Sequence, residues 1–332
     1  MPYDGAVVRE AMSRLREDEQ RHRREFEDRR QRLYRRAPRL LEIDRQLAST
    51  VRDASLTALQ HDLDPGPVLE RARLENLSLQ RERRNLLLSL HQSPEALTYQ
   101  PLCADCGDRG WRGSEMCGCL QDRCARVQIE HLSSMLNLGD QSFDTFDLSY
   151  YSQLYDATIG TSPRRHMELV LDVCFAFADK FGRGPAENLF LTGAPGLGKT
   201  FLSAAIARVV SERGYSVVYD SAVSVFGRFE SDKFSRDEEA KAAVNRYLTC
   251  DLMILDDLGS EMNSPLVQSS LYLLVNTRLL NQRRTLISSN LSVPELSKRY
   301  APQIVSRLIG EYTPLQFYGE DIRAQKRARN AL

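Results

Sequence analysis

A glycine-rich loop that ends in lysine and threonine is the part of this chain whose residue types and spacing most directly predict chemistry. Gly193, Gly198, Lys199 and Thr200 fit the pattern G-x-x-x-x-G-K-[ST]. Glycines allow successive backbone N–H groups to point at phosphate oxygens, and a following helix adds the positive end of its dipole. The loop predicts a nucleotide phosphate site, with Lys199 neutralising the β and γ phosphates and the Thr200 hydroxyl binding Mg²⁺.

Two polar positions follow short apolar runs further along the chain. Asp256 and Asp257 come after the run 252–255, and Asn290 ends the stretch RRTLISSN. We expect Asp256 to complete the magnesium site, usually through water, and Asp257 to orient or deprotonate an attacking water. The aspartate side chain is shorter than glutamate, which would weaken hydrolysis. We expect Asn290 to hold the same water or to contact the γ-phosphate, and the alternative is that it only forms a turn.

These residues make up the predicted nucleotide site, with ATP and Mg²⁺ as cofactors. Its binding residues are Gly193, Ala194, Pro195, Gly196, Leu197, Gly198, Lys199, Thr200, Phe201 and Asp256. Its catalytic residues are Asp257 and Asn290.

Clustered cysteines predict a second site. Of seven cysteines, Cys103, Cys106, Cys117 and Cys119 form two close pairs in a glycine-rich stretch. Two such pairs suit a structural Zn²⁺ bound by four thiolates. The alternatives are Cys124 in place of Cys119, an iron–sulfur cluster, and reduced cysteines without metal.

Strands and helices that alternate from residue 162 onward must position the nucleotide site. This alternation predicts a mainly parallel sheet covered on both faces. The predicted strands are 188–192, 216–220, 252–255, 284–288 and 313–317. The predicted helices are 164–181, 199–213, 222–230, 237–248, 264–281, 293–299 and 302–310.

Three regions follow from composition and periodicity. Residues 1–92 predict a charged helical hairpin or coiled coil, because Leu33, Leu40, Leu47 and Ala54 recur every seventh residue and the sequence DPGP interrupts the pattern. Residues 93–139 predict the zinc-binding module and a following helix, and residues 140–332 the nucleotide-binding domain. The arginine-rich run in the first region is read as a solvated helix face in preference to a nucleic-acid footprint.

Bulk composition excludes little. Lys+Arg and Asp+Glu both number 45, so the net charge is zero and gives no argument about nucleic acid. No apolar run approaches the roughly 20 residues that span a bilayer. The first residues lack the apolar core of a signal peptide, so we expect a cytoplasmic protein without membrane contact.

The ordered set GAPGLGKT, LMILDDLG and LISSN resembles the AAA+ ATPases, and more closely the DnaC/DnaI helicase-loader group with its relative IstB. The segments GYSVVYDSAVSVFGRFE, YAPQIVSRLIGEY and FYGEDIRAQKR extend this resemblance over about residues 140–328. The cysteine-bearing region is similar to that of the DnaI-like branch. The resemblance implies an AAA+ domain of the P-loop NTPase class without a helical lid.

The resemblance also implies roles for several basic and aromatic residues. Arg307 is similar to the arginine finger that reaches the γ-phosphate of a neighbouring subunit, which implies a ring or spiral homo-oligomer. Arg299 is the alternative finger, and a helix-end salt bridge is the alternative role of Arg307. Arg323 is positioned to approach nucleotide in its own subunit.

The segment SVFGRFESDKF combines aromatic and basic residues between the second and third predicted core strands. Phe226, Arg228, Phe229 and Lys233 are the predicted contacts to single-stranded DNA, because base stacking and backbone neutralisation hold single strands. Packing of the two phenylalanines on the sheet is the alternative.

The resemblance implies an ATP-dependent loader of a replicative DnaB-type helicase, in which the zinc module engages the helicase. The alternatives are an IstB-like transposition helper ATPase and a non-catalytic adaptor that uses ATP as an assembly signal.

Overall fold

The computed structural model describes residues 3–60, 65–136, 141–185, 187–235 and 238–330. The chain divides into two compact units. One contains Met12–Cys117, and the other contains Met1–Ala11 together with Gly118–Leu332. Among the described helices, none combines the length and the apolar composition needed to cross a lipid bilayer.

Three long helices precede the cysteine segment: α1 (Gly5–Arg36), α2 (Pro38–Gln60) and α3 (Pro65–Ser89). The predicted hairpin of two helices therefore needs one correction, a break at Pro38. The Ala37 N–H still donates to the Leu33 carbonyl at 2.9 Å, but proline has no N–H to continue the ladder. The predicted interruption at DPGP falls between the end of α2 at Gln60 and the first residues of α3. Residues 61–64 lie outside the described residues, and so does the side chain of Ala54 from the predicted seven-residue repeat.

Ion pairs show how α2 and α3 pack. The Arg39 guanidinium, in the first turn of α2, donates from Nε and from one terminal nitrogen to the Glu82 carboxylate at 2.8 and 3.0 Å. Arg83 lies 2.8 Å from Asp44. Because the start of α2 contacts the last third of α3, the two helices run antiparallel.

A small two-stranded sheet lies between the cysteine pairs. Strands β1 (Trp111–Arg112) and β2 (Glu115–Met116) pair antiparallel, with Trp111 opposite Met116. The Asp108 carboxylate accepts from the backbone N–H of Leu102 at 3.0 Å and of Cys103 at 2.7 Å. These bonds fix the loop that carries the first cysteine pair.

A five-stranded parallel sheet forms the centre of the second unit, in the order β4-β5-β6-β3-β7. This confirms the predicted α/β architecture. The strands are β3 (Leu189–Thr192), β4 (Val217–Ser221), β5 (Leu252–Leu258), β6 (Arg284–Ser289) and β7 (Thr313–Gln316).

Helices cover both faces of this sheet. They are α4 (Gly118–Leu136), α5 (Pro163–Asp179), α6 (Lys199–Glu212), α7 (Ala222–Ser235), α8 (Glu238–Thr249), α9 (Pro265–Leu280), α10 (Val293–Arg299), α11 (Pro302–Gly310) and α12 (Ile322–Asn330). Alternate strand residues enter opposite cores: Leu189 and Leu191 pack in one, and Phe190 packs in the other. The sequence did not predict α12, and it predicted α7 and β5 shorter than they are.

Candidate nucleotide-binding site

The glycine-rich loop joins β3 to α6 at the carboxyl edge of the sheet. Gly196 has φ +79°, and a Cβ there would lie 2.2 Å from an Asp321 carboxylate oxygen. Gly198 has φ +90° and precedes the first residue of α6. Both positions require glycine, because L-residues with side chains rarely adopt this backbone conformation.

Lys199 is the first residue of α6, and its side chain is buried, with 6% exposed. Its Nζ donates to the carbonyl oxygens of Gly193 at 2.6 Å and Ala194 at 2.8 Å, and to Asn290 Oδ1 at 2.7 Å. Burial lowers the pKa of Lys199 to about 8, although the nearby carboxylates of Asp257 and Asp256 oppose this shift. The ammonium is thus held beside the predicted catalytic amide.

Three hydroxyl groups surround the Asp256 carboxylate. Thr200 Oγ1 donates to Asp256 Oδ2 at 3.3 Å, and the Tyr219 hydroxyl donates to the same oxygen. Ser288 Oγ donates to Asp256 Oδ1. Burial raises the pKa of Tyr219 well above its usual range, with the Asp256 charge as the next cause, so this phenol keeps its proton.

Asp257 sits at an irregular point of β5. The pairing of β5 with β6 shifts register between Leu255 and Leu258, and Asp257 has φ +58°. Its carboxylate accepts from Asn290 Nδ2, and its N–H donates to Ser288 Oγ at 2.9 Å. Asn290 therefore bridges the Lys199 ammonium and the Asp257 carboxylate.

A cavity of about 430 Å³ opens beside these groups. It brings together most of the predicted site: Pro195, Gly196, Leu197, Gly198, Lys199, Thr200, Phe201, Asp256, Asp257 and Asn290 all line it. Gly193 and Ala194 do not line the cavity but hold Lys199 through their carbonyls. Arg323, which the resemblance placed near nucleotide, also lines it.

Two segments outside the motifs support the loop. The Tyr151 hydroxyl donates to the Leu197 carbonyl at 2.8 Å, and the Ile322 N–H donates to the Gly196 carbonyl at 3.0 Å. Lys326, one turn beyond Arg323 on α12, lines the cavity as well. Sequence reasoning missed these three residues; the aromatic segment before α5 and the basic run after β7 were their only signals.

The donor set fits magnesium. The Thr200 hydroxyl and the Asp256 carboxylate offer oxygen atoms that face the cavity side by side, and Mg²⁺ prefers oxygen ligands. Thr200 and Asp256 are the residues that would hold it, directly or through water.

Known proteins are similar to this chain over the region that contains the nucleotide cavity. The family described as IstB-like ATP binding protein matches residues 177–330. The replicative helicase loader DnaI of Bacillus subtilis (strain 168) is 30% identical over 155 residues, which cover 42% of this chain and 49% of that protein. Over this region the chain is similar to IstB-like ATP binding proteins and to a replicative helicase loader.

Other proteins are similar to this region over part of their length. The chromosomal replication initiator protein DnaA of Rickettsia bellii (strain RML369-C) is 29% identical over 167 residues, covering 49% of this chain and 34% of that protein. A crystal structure of the DnaC helicase loader aligns with a TM-score of 0.47 at 19% identity, covering 55% of this chain and 99% of that one. The chain spans half or less of the length of the curated relatives named here.

Arg307 does not line the candidate nucleotide cavity. Its guanidinium donates to Asn276 Oδ1 at 3.1 Å and stacks 4.8 Å from the Tyr272 ring centroid. It lines a separate cavity of about 820 Å³. Arg299, the alternative finger, pairs with the buried Glu261 carboxylate at 3.4 Å. The finger role of Arg307 stays a prediction.

Helix α7 corrects part of the predicted DNA contact. Phe226 and Phe229 are 4% and 6% exposed, and the Phe229 ring stacks on Tyr247 with 6.4 Å between centroids. The prediction that these rings stack on bases is wrong in this structure, because both belong to the core. Lys233 is exposed, and Arg228 is partly exposed, 3.8 Å from Glu239. Their DNA contacts stay predictions.

The four predicted zinc ligands lie together. The Sγ atoms of Cys103, Cys106, Cys117 and Cys119 are all within 4.8 Å of one another, and Cys103 Sγ lies 3.8 Å from Cys117 Sγ. Zn–S bonds of about 2.3 Å in a tetrahedron separate sulfurs by about 3.8 Å, so the geometry fits Zn²⁺. Cys124 is not in this group; burial raises the pKa of its thiol to about 11.

Proposed function

We propose that this protein is an ATP-dependent loader of a replicative DnaB-type helicase, which binds ATP, Mg²⁺ and single-stranded DNA and hydrolyses ATP during loading or release. One observation carries the proposal. A phosphate loop, two aspartates of β5 and Asn290 converge on one cavity, in a region of 155 residues that is 30% identical to a replicative helicase loader. We propose a helicase as the partner because that relative is described as a replicative helicase loader.

The residues of the cavity divide the work of hydrolysis. The loop amides and Lys199 bind the phosphates, and Asp257 is the proposed base, since its carboxylate faces the cavity and is oriented by Asn290. Magnesium, held by Thr200 and Asp256, would neutralise charge on the phosphate oxygens. Arg307 is proposed to reach the cavity of a neighbouring subunit, which makes a homo-oligomer part of the proposal.

The proposed partners follow from the other parts of the chain. Lys233 and Arg228 on α7 offer positive charge for a single-stranded backbone. The four-cysteine module, with zinc as its proposed metal, is the proposed contact to the helicase.

Co-purification tests the proposal. Tagged full-length protein is incubated with DnaB-type helicases from the same genome, with ATP or without nucleotide. We expect helicase to be retained with ATP, and Lys199→Ala to abolish the ATP dependence. Failure to bind ATP or any such helicase contradicts the proposal.

The match to the IstB-like family favours a second candidate, a transposition helper ATPase. Recovery of a transposase instead of a helicase in the same experiment would support it. A third candidate is an adaptor that binds ATP but does not hydrolyse it. Measurement of ATP turnover distinguishes this adaptor from the two ATPases. Steady DNA-stimulated hydrolysis that Asp257→Ala abolishes argues against the adaptor.

A further inference from the structure

The carboxylate of Asp256 accepts a hydrogen bond from a residue of β4, a strand that carries none of the predicted catalytic residues. Tyr219 lies on β4, at the edge of the sheet, and its hydroxyl donates to Asp256 Oδ2. The register of β4 and β5 places Ser221 beside Asp256. Tyr219 therefore reaches forward along the strand direction to contact the carboxylate.

A second hydroxyl holds the other oxygen. Ser288, which is 1% exposed, donates to Asp256 Oδ1 and accepts from the Asp257 N–H at 2.9 Å. Tyr219 and Ser288 thus approach the carboxylate from the two strands that flank β5. Asp256 can rotate about its side chain only by breaking one of these bonds.

The remaining partner of Asp256 Oδ2 is the Thr200 hydroxyl, at 3.3 Å. Thr200 and Asp256 are the residues that would hold Mg²⁺. The Tyr219 hydroxyl therefore holds the Asp256 oxygen that lies beside the Thr200 hydroxyl, and these two groups would hold the magnesium ion.

We propose that Tyr219 is a positioning residue for magnesium, acting through Asp256. The inference rests on the nucleotide site of the proposed function and adds a residue to it. Groups that orient metal ligands typically change metal affinity by 10–100-fold when they are removed. If the Tyr219 hydroxyl is removed, Asp256 Oδ2 keeps only the hydrogen bond from Thr200, and the carboxylate loses its fixed orientation.

The test compares two tyrosine hydroxyls on neighbouring carboxylates. Tyr247 donates to Asp220 Oδ2 at 2.6 Å, and Asp220 follows Tyr219 on β4. Tyr219→Phe and Tyr247→Phe each delete one hydroxyl that donates to a carboxylate, but only the first touches Asp256. The Tyr247 variant is the matched control for lost packing and lost hydrogen bonding.

Binding of a fluorescent ATP analogue to the full-length protein is measured in EDTA and across a Mg²⁺ titration. For Tyr219→Phe we expect an unchanged dissociation constant in EDTA and an approximately tenfold higher Mg²⁺ concentration for half-maximal enhancement of binding. Tyr247→Phe keeps the wild-type Mg²⁺ response. Ser288→Ala is expected to shift the response in the same direction as Tyr219→Phe.

Three results overturn the inference. The first is a wild-type Mg²⁺ titration for Tyr219→Phe. The second is an equal shift for Tyr219→Phe and Tyr247→Phe. The third is weaker binding of Tyr219→Phe in EDTA alone, which indicates general damage. Each leaves the proposed function intact, since that fails only if the wild-type protein binds no ATP or no helicase.

Discussion

Protonation of Lys199 makes nucleotide affinity depend on pH in a direction that the structure fixes. The free site buries this ammonium and lowers its pKa to about 8. About a tenth of free molecules then lack this proton at pH 7, about half at pH 8 and about nine tenths at pH 9. Bound phosphates favour the charged amine, so the complex holds more protons than the free protein.

Binding of ATP is therefore expected to take up about 0.5 proton at pH 8 and about 0.9 at pH 9. Because protons are taken up, affinity falls as pH rises, by about tenfold between pH 7 and pH 9. Phosphate groups contribute little over this range, since their second pKa lies near 6.

Calorimetry in two buffers of different ionisation enthalpy measures this uptake directly. Lys199→Arg is the matched control, because a guanidinium does not titrate below pH 12. Its affinity is expected to stay level across the range, whatever its absolute value. Proton release at pH 8–9, or the same pH slope in the arginine variant, would refute the reasoning.

Four further predictions follow. Arg278→Met leaves three backbone carbonyl oxygens without their donor, so urea denaturation should show about 3 kcal/mol or more of lost stability; a loss below about 1 kcal/mol contradicts this. Cys106→Ser should reduce zinc, measured by mass spectrometry, far below one per chain without changing nucleotide affinity, whereas retained zinc contradicts the site. Arg307→Ala should slow hydrolysis about 10³-fold at unchanged ATP affinity, and unchanged turnover would exclude a finger role. Lys233→Glu should weaken binding of single-stranded DNA and flatten its salt dependence, which anisotropy titrations at several salt concentrations test.

The nucleotide site was predictable from sequence because its chemistry is local. A phosphate loop must fall between a strand and a helix, and the carboxyl ends of parallel strands meet at one edge. Asp256 and Asn290 could therefore be assigned to the cavity from short apolar runs alone.

Contacts between strands were not predictable in the same way. Tyr219 follows two valines and resembles an ordinary strand residue. Its role depends on which strand lies beside β5 and in what register. Helix α12 escaped prediction because Ile322 and two alanines are its only apolar residues, so no run of large apolar side chains marks it. It is placed by Ile322 and by the Asp321 cap.

The wrong prediction that Phe226 and Phe229 contact DNA has a different cause. Two aromatic rings three residues apart share a face of a helix, but spacing does not say whether that face meets the sheet or the solvent. Here it meets the core, and the basic residues of α7 are left at the surface.

The backbone at Asp257 has a consequence for the choice of acid at this position. With φ at +58°, the residue occupies the left-handed region, which aspartate and asparagine tolerate better than most residues with longer side chains. Replacing it with glutamate would lengthen the reach of the carboxylate but would work against the local geometry of the bulge. The irregular backbone of β5 therefore accommodates aspartate better than glutamate at this position. In the proposed hydrolysis reaction, the shorter side chain would keep ATP turnover slow.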